Sequence, residues 1–150
     1  MFRDKRESGK FYMVLEYLEA GDLRQFYKKQ HRRGMPVDLV LSLAEQLIKA
    51  TDFIHSQGYL HRDIKSGNIL LGGPGSLVLD GGTQRSTHYR VLKVADFGLG
   101  RQVPFPPKPM TKEIATLSWR APEVILDNTS YSAGVDMWSI GVVIYEMLTG

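Results

Sequence analysis

His61-Arg62-Asp63-Ile64-Lys65-Ser66-Gly67-Asn68 is the stretch that decides how this chain is read, and the apolar run Ile69-Leu70-Leu71 follows it at once. An aspartate in a loop can take a proton from a hydroxyl and aim its oxygen. An asparagine five residues on can hold a metal ion, and a lysine between them can neutralise a phosphate. Phosphoryl transfer depends on positioning and charge neutralisation more than on covalent chemistry by the protein. The set Asp63, Lys65 and Asn68 suits that chemistry, and the apolar run after it reads as a buried strand.

Two further motifs follow in order. Val91-Leu92-Lys93-Val94 is a strand pattern that delivers Asp96-Phe97-Gly98. A carboxylate at a strand end can hold Mg²⁺, a hard ion that takes oxygen ligands. Gly98 permits the backbone turn a switch loop needs. Ala121-Pro122-Glu123 is the third motif, and the proline-rich run from Pro104 to Pro109 lies between the two. Those prolines exclude helix there.

Around these motifs the chain has 150 residues, 43% hydrophobic and 23% charged, the balance of one ordinary globular domain with a real core. A net charge of +3 without a basic, aromatic-studded stripe is too small to argue for nucleic acid, and no nucleic-acid partner is expected. There is no cysteine, so no disulfide framework and no thiolate metal site, which suits a reducing compartment. The N-terminus lacks the apolar core of a signal peptide. Met137 to Leu148 is too short to span a bilayer and carries Glu146. The expectation is a soluble intracellular chain, cytoplasmic or nuclear, with no membrane partner.

The segment Phe11 to Leu18 reads as a buried strand broken at Gly21-Asp22, with Asp22 capping a helix from Leu23 to about His31 that is stopped at Gly34. A second helix runs from Asp38 to about Gln57. Val40, Leu43, Ala44, Leu47, Ile48 and Ile54 recur on its core face, and Gly58 stops it. His31 and His55 have no metal-ligand spacing partner and are assigned no chemistry. Residues 72–90, rich in Gly, Ser and Thr, form a surface insertion whose glycines match no phosphate-loop pattern. Asp136 opens a helix, apolar nearly all round, that reads as a buried central element.

The three motifs in this order resemble a protein kinase catalytic domain. Lys65 resembles the serine/threonine branch. Met110 to Glu123, with Arg120 ahead of Ala121-Pro122-Glu123, resembles the cyclin-dependent kinase family. Ser66-Gly67 and Ser118-Trp119 depart from that family's pattern, and Gly141 to Glu146 is closer to calcium/calmodulin-type kinases. The fold implied is α+β: mainly the helical large lobe with the hinge strand, and the small lobe largely absent. Residues 1–10 are then an N-terminal segment, and 11–150 a partial kinase domain from the hinge to the central large-lobe helix.

The resemblance also implies roles. Asp63 is the catalytic base, Lys65 stabilises the γ-phosphoryl charge, and Thr116 bonds both, the alternative for Thr116 being a plain satisfied loop hydroxyl. ATP and Mg²⁺ are the cofactors, with Asn68 and Asp96 as metal ligands. Leu15 is the gatekeeper, the backbone of Glu16 and Leu18 meets the adenine edge, Asp22 reaches the ribose, and Leu70 forms the adenine floor. Thr111 is the activating phosphorylation site, with Arg62 and Arg101 as its local arginines. Arg120 takes the Ala115 carbonyl and so sets a preference for proline after the target residue. His61, Phe97, Gly98, Glu123 and Asp136 are structural, Asp136 bracing the catalytic-loop backbone and Val143 and Met147 lying below the adenine. Protein substrates and a cyclin-like activator are the implied partners.

Two classes of function follow. One is an ATP-dependent serine/threonine protein kinase acting on Ser/Thr, chiefly before proline. The other is a truncated, inactive fragment serving as a binding module, because no glycine-rich loop or phosphate-binding lysine precedes Phe11.

Overall fold

The computed structural model describes residues 2–3, 11–72, 91–103, 109–111 and 114–150. Most of the 72–90 insertion, most of the N-terminal segment and Pro104 to Lys108 of the proline run lie outside the described residues. Strand β1 (Phe2–Arg3) pairs antiparallel with β2 (Phe11–Tyr12). Helix α1 (Leu23–Gln30) is N-capped by Asp22, whose side chain accepts the backbone N–H of Gln25 at 2.7 Å. Helix α2 (Val37–Ser56) is the longest element, and Gly58 beyond it takes φ +76. Strand β3 (Tyr59–Leu60) leads into the His61–Asn68 loop, and β4 (Ile69–Leu71) leads out of it. Strand β5 (Leu92–Val94) pairs antiparallel with β4, and β6 (Arg101–Gln102) pairs with β3. A short helix α3 (Pro122–Ile125) precedes α4 (Gly134–Thr149).

The core forms where α1, α2 and α4 meet β4 and β5. Leu23, Phe26, Leu43, Leu47, Ile69, Leu71, Val143 and Met147 are its centre, all nearly inaccessible. A second cluster, Leu60, Met110, Ile114, Ala121, Val124, Tyr131 and Val135, sits between the loop after α3 and the segment before it. Gly34 ties the α1–α2 turn to the end of α4. It takes φ +96, a Cβ there would collide with the Leu148 carbonyl, and the next N–H, of Met35, donates to Met147 at 2.7 Å.

Three expectations change. Phe11 to Leu18 is a strand only at Phe11–Tyr12, and Val14, Leu15 and Tyr17 are 78, 73 and 84% exposed. An apolar run becomes a buried strand only when other strands and a packed face receive it, and no described element covers this one. On α2, Ile48 points outward and Thr51 takes the core position, because its hydroxyl bonds the Leu47 carbonyl at 2.9 Å and so enters the interior satisfied. Helix α4 is not buried all round. Val135, Ile140, Val143 and Met147 face the core, while Met137, Trp138 and Tyr145 remain about half exposed or more.

Candidate active site

The His61–Asn68 loop is held from below by one carboxylate. Asp136, fully buried in the first turn of α4, accepts the backbone N–H of His61 at 2.9 Å and of Arg62 at 2.8 Å. His55, at the end of α2, donates to the same carboxylate at 2.8 Å. These bonds hold Arg62 at φ +68, a left-handed conformation that costs a non-glycine residue about 1–2 kcal/mol. His61 accepts the Asp63 N–H at Nδ1, donates from Nε2 to the Ala95 carbonyl, and meets the Phe97 ring edge-on at 4.9 Å between centroids. The loop is thereby fastened to the Asp96-Phe97-Gly98 turn.

Asp63 stands at the centre. Its Oδ2 accepts Lys65 Nζ at 2.7 Å and Asn68 Nδ2 at 3.0 Å, and its Oδ1 accepts the backbone N–H and the hydroxyl of Thr116, each at 3.1 Å. Lys65 Nζ also donates to Thr116 Oγ1 at 2.9 Å, so Thr116 bridges the carboxylate and the ammonium. Burial alone would push the Asp63 carboxyl up. The bonds from Lys65, Thr116 and Asn68, together with the Lys65 charge, outweigh burial and hold it below its ordinary value.

Asp96 follows β5 with φ +63, and its Oδ1 accepts the Gly98 N–H at 3.1 Å. The left-handed residue of the turn is therefore Asp96 rather than Gly98. Gly98 contributes by lacking a Cβ, which would stand 3.0 Å from Asp96 Oδ1. Among the described residues no cluster of three His, Cys, Asp or Glu side chains exists. Asp96 offers an exposed carboxylate. Asn68 spends its amide nitrogen on the Asp63 carbonyl and carboxylate, which leaves an amide oxygen. Two hard oxygen donors fit Mg²⁺, which binds through one or two protein groups and completes its shell with water and phosphate.

On the other side of β4, Leu70 is partly exposed and bridges to Asp22. Both Asp22 carboxylate oxygens are taken by Gln25, so its cap function occupies the group expected on a ribose. Leu18 lies beside Gly72, whereas Leu15 is exposed and Glu16 makes a surface ion pair with Lys93 at 3.3 Å. Val143 and Met147 are fully buried in the core.

In the segment after Asp96, Arg62 Nη1 donates to Thr111 Oγ1 at 2.8 Å. Arg101 lies on β6, and no described hydrogen bond joins it to Thr111. Arg120 Nη2 donates to the Ala115 carbonyl at 3.1 Å, and Ala115 takes φ +57. Glu123 lies in the first turn of α3, without an ion pair among the described residues.

The sequence reading missed three participants. His55 pairs with Asp136, 81 positions away, so no local spacing could reveal it. Tyr131 bonds both Arg62 and Thr111. Glu146 accepts Trp119 Nε1 at 3.1 Å and the Tyr27 hydroxyl at 3.2 Å, joining α1, α4 and the residues ahead of Ala121.

Residues 1–150 match the protein kinase domain family. The chain is 41% identical over 140 residues to cyclin-dependent kinase B2-2 of Arabidopsis thaliana, covering 92% of this chain and 40% of that protein. It is 44% identical over 142 residues to cyclin-dependent kinase B1-1 of the same plant, covering 91% of this chain and 41% of that protein. The chain thus spans about 40% of the length of these curated relatives. Among the described residues, no helix is long and apolar enough to cross a membrane.

Proposed function

The chain belongs to the protein kinase domain family and is similar to cyclin-dependent kinases, and from that premise we propose that it carries the acceptor-side and metal-side machinery of a serine/threonine kinase. The observation that carries the proposal is the Asp63 carboxylate, gripped by Lys65, Asn68 and Thr116 and held ionised. A carboxylate has about four acceptor positions, and four donors fill them here. An incoming Ser or Thr hydroxyl therefore displaces one donor, and the Thr116 hydroxyl is the one free to rotate aside. Asp63 then aims the substrate oxygen and receives its proton late. Lys65 meets the negative charge on the transferred group, while Asn68 and Asp96 are the residues that would hold Mg²⁺. Magnesium-ATP, when bound, supplies the phosphoryl group and neutralises its charge.

Arg120 sets the substrate preference. Its bond to the Ala115 carbonyl removes the acceptor that the residue after the target Ser or Thr would need for its N–H. Burying an unpaired N–H costs about 1–3 kcal/mol. Proline has no N–H and escapes that cost. At 1.4 kcal/mol per decade the advantage is roughly 5- to 150-fold. The relatives' names point to a cyclin-like activator as a partner. Phosphate transfer to paired Ser-Pro and Ser-Ala peptides tests the proposal, in a chain extended by a glycine-rich loop and a phosphate-binding lysine. Equal rates refute the proline preference, and no transfer to either peptide refutes the kinase role.

A further inference from the structure

Tyr131 is 7% exposed and packs in the second apolar cluster beside Met110 and Ile114. A phenol at such a position needs partners, because a buried hydroxyl left unpaired costs about 1–3 kcal/mol. Its partners come from two different segments. The hydroxyl donates to the Thr111 carbonyl at 2.8 Å and accepts from Arg62 Nη1 at 3.1 Å. The same Nη1 donates to Thr111 Oγ1 at 2.8 Å, which closes a ring of three residues. Arg62 has little freedom to choose other partners. Its Nε is on the Leu99 carbonyl at 2.7 Å, and its backbone N–H is on Asp136. The Thr111 segment is also pinned beside Tyr131, since the Met110 N–H donates to the Thr129 carbonyl at 3.0 Å.

We infer that Tyr131 is a positioning residue that docks the Thr111 segment onto Arg62 while Thr111 is unmodified. The phenol supplies one carbonyl anchor and one acceptor for the guanidinium, and the Thr111 hydroxyl supplies the second acceptor. A phosphate on Thr111 would bring anionic oxygens to the same guanidinium, where a bidentate bond between two opposite charges is stronger than the present bonds from the cation to neutral hydroxyls. It would replace the phenol as the holding group. Tyr131 therefore matters most in the absence of the phosphate, and its substitution should be felt in one state and not in the other.

The inference rests on the kinase reading only for what the docking serves, and its test needs no turnover. Amide hydrogen exchange is measured in the full chain at Met110 and Thr111, with Val143 in the core as reference, for Tyr131 and for Tyr131→Phe. Loss of bonds worth about 0.5–1.5 kcal/mol should speed exchange at Met110 and Thr111 roughly 2- to 12-fold. With phosphothreonine placed at position 111, the same substitution should change exchange less than about 2-fold, within the scatter of one weak hydrogen bond. Unchanged exchange in the unmodified chain overturns the inference. Equal acceleration with and without the phosphate also overturns it, as does equal acceleration at Val143, because either result makes Tyr131 a packing residue only.

Discussion

Replacing Asp136 by Asn is the sharpest perturbation of this site, because it changes almost no volume and leaves no cavity. The carboxylate accepts three bonds: His61 N–H and His55 Nε2 on Oδ2, and Arg62 N–H on Oδ1. An amide has one accepting oxygen and a donating NH₂. If the oxygen faces His61, the NH₂ faces the Arg62 N–H, and two donors meet in a fully buried pocket. Leaving that N–H unpaired costs about 1–3 kcal/mol, and demoting the other two bonds from charged to neutral costs about 1 kcal/mol each. The sum is about 3–5 kcal/mol, a large share of the 5–15 kcal/mol typical of a whole domain. Flipping the amide only transfers the conflict to His61 and His55. Urea unfolding of parent and variant at neutral pH reads the difference directly, provided both unfold in a single transition. A destabilisation below about 1 kcal/mol refutes the view that Asp136 carries the loop backbone, whatever the activity.

The low Asp63 carboxyl sets a pH dependence. Its folded value lies below the unfolded one, so its stabilisation is fully present above about pH 4 and fades as pH falls through the folded value. Acid titration of unfolding should therefore fall less steeply in Asp63→Asn than in the parent, and parallel curves count against the bonded carboxylate. Tyr27 behaves in the opposite sense. Burial, with the nearby Glu146 charge adding to it, raises its phenol above the ordinary 10.0, so that contribution is kept below about pH 10 and lost as pH rises through the higher folded value. Ultraviolet titration should show one tyrosine ionising late, and Tyr27→Phe should remove it. Residues 1–150 made alone should transfer phosphate far below the 1–100 per second common for kinases, and turnover in that range contradicts a site needing further nucleotide-binding groups.

What was legible in the sequence follows how far apart the cooperating residues lie. Asp63, Lys65 and Asn68 share one loop, so their spacing nearly fixes their geometry, and they do converge. Asp22 caps α1 through a contact three residues on. Helix α2 runs from Val37 to Ser56, within a residue of the expected bounds, because its periodicity and its glycine stop are local signals. The strand expected at Phe11 to Leu18 failed for the complementary reason. Its apolar residues state a need for a partner face and cannot state that one is present. Ile48 and Thr51 exchanged places because a threonine that bonds its own helix is as acceptable to the core as an isoleucine. His55 was dismissed on metal spacing, a rule blind to a carboxylate on another helix. Arg101 was grouped with Arg62 by position, and among the described hydrogen bonds Arg62 reaches Thr111 while Arg101 makes none to it.

Among the described residues four non-glycine residues hold positive φ, and three of them, Arg62, Asp96 and Ala115, stand at the corners of the candidate site. At about 1–3 kcal/mol each, the three together rival the whole margin by which a domain stays folded. A redesign that optimised folding alone would write glycine at all three positions. At Arg62 it would delete the guanidinium that holds Thr111, and at Asp96 the carboxylate proposed to hold Mg²⁺. At Ala115 it would delete only a methyl group and leave the carbonyl taken by Arg120 in place. Thermal robustness and chemistry thus make opposing demands at two of these positions and nearly compatible ones at the third. Ala115 is where the chain could be made sturdier without touching a reacting group.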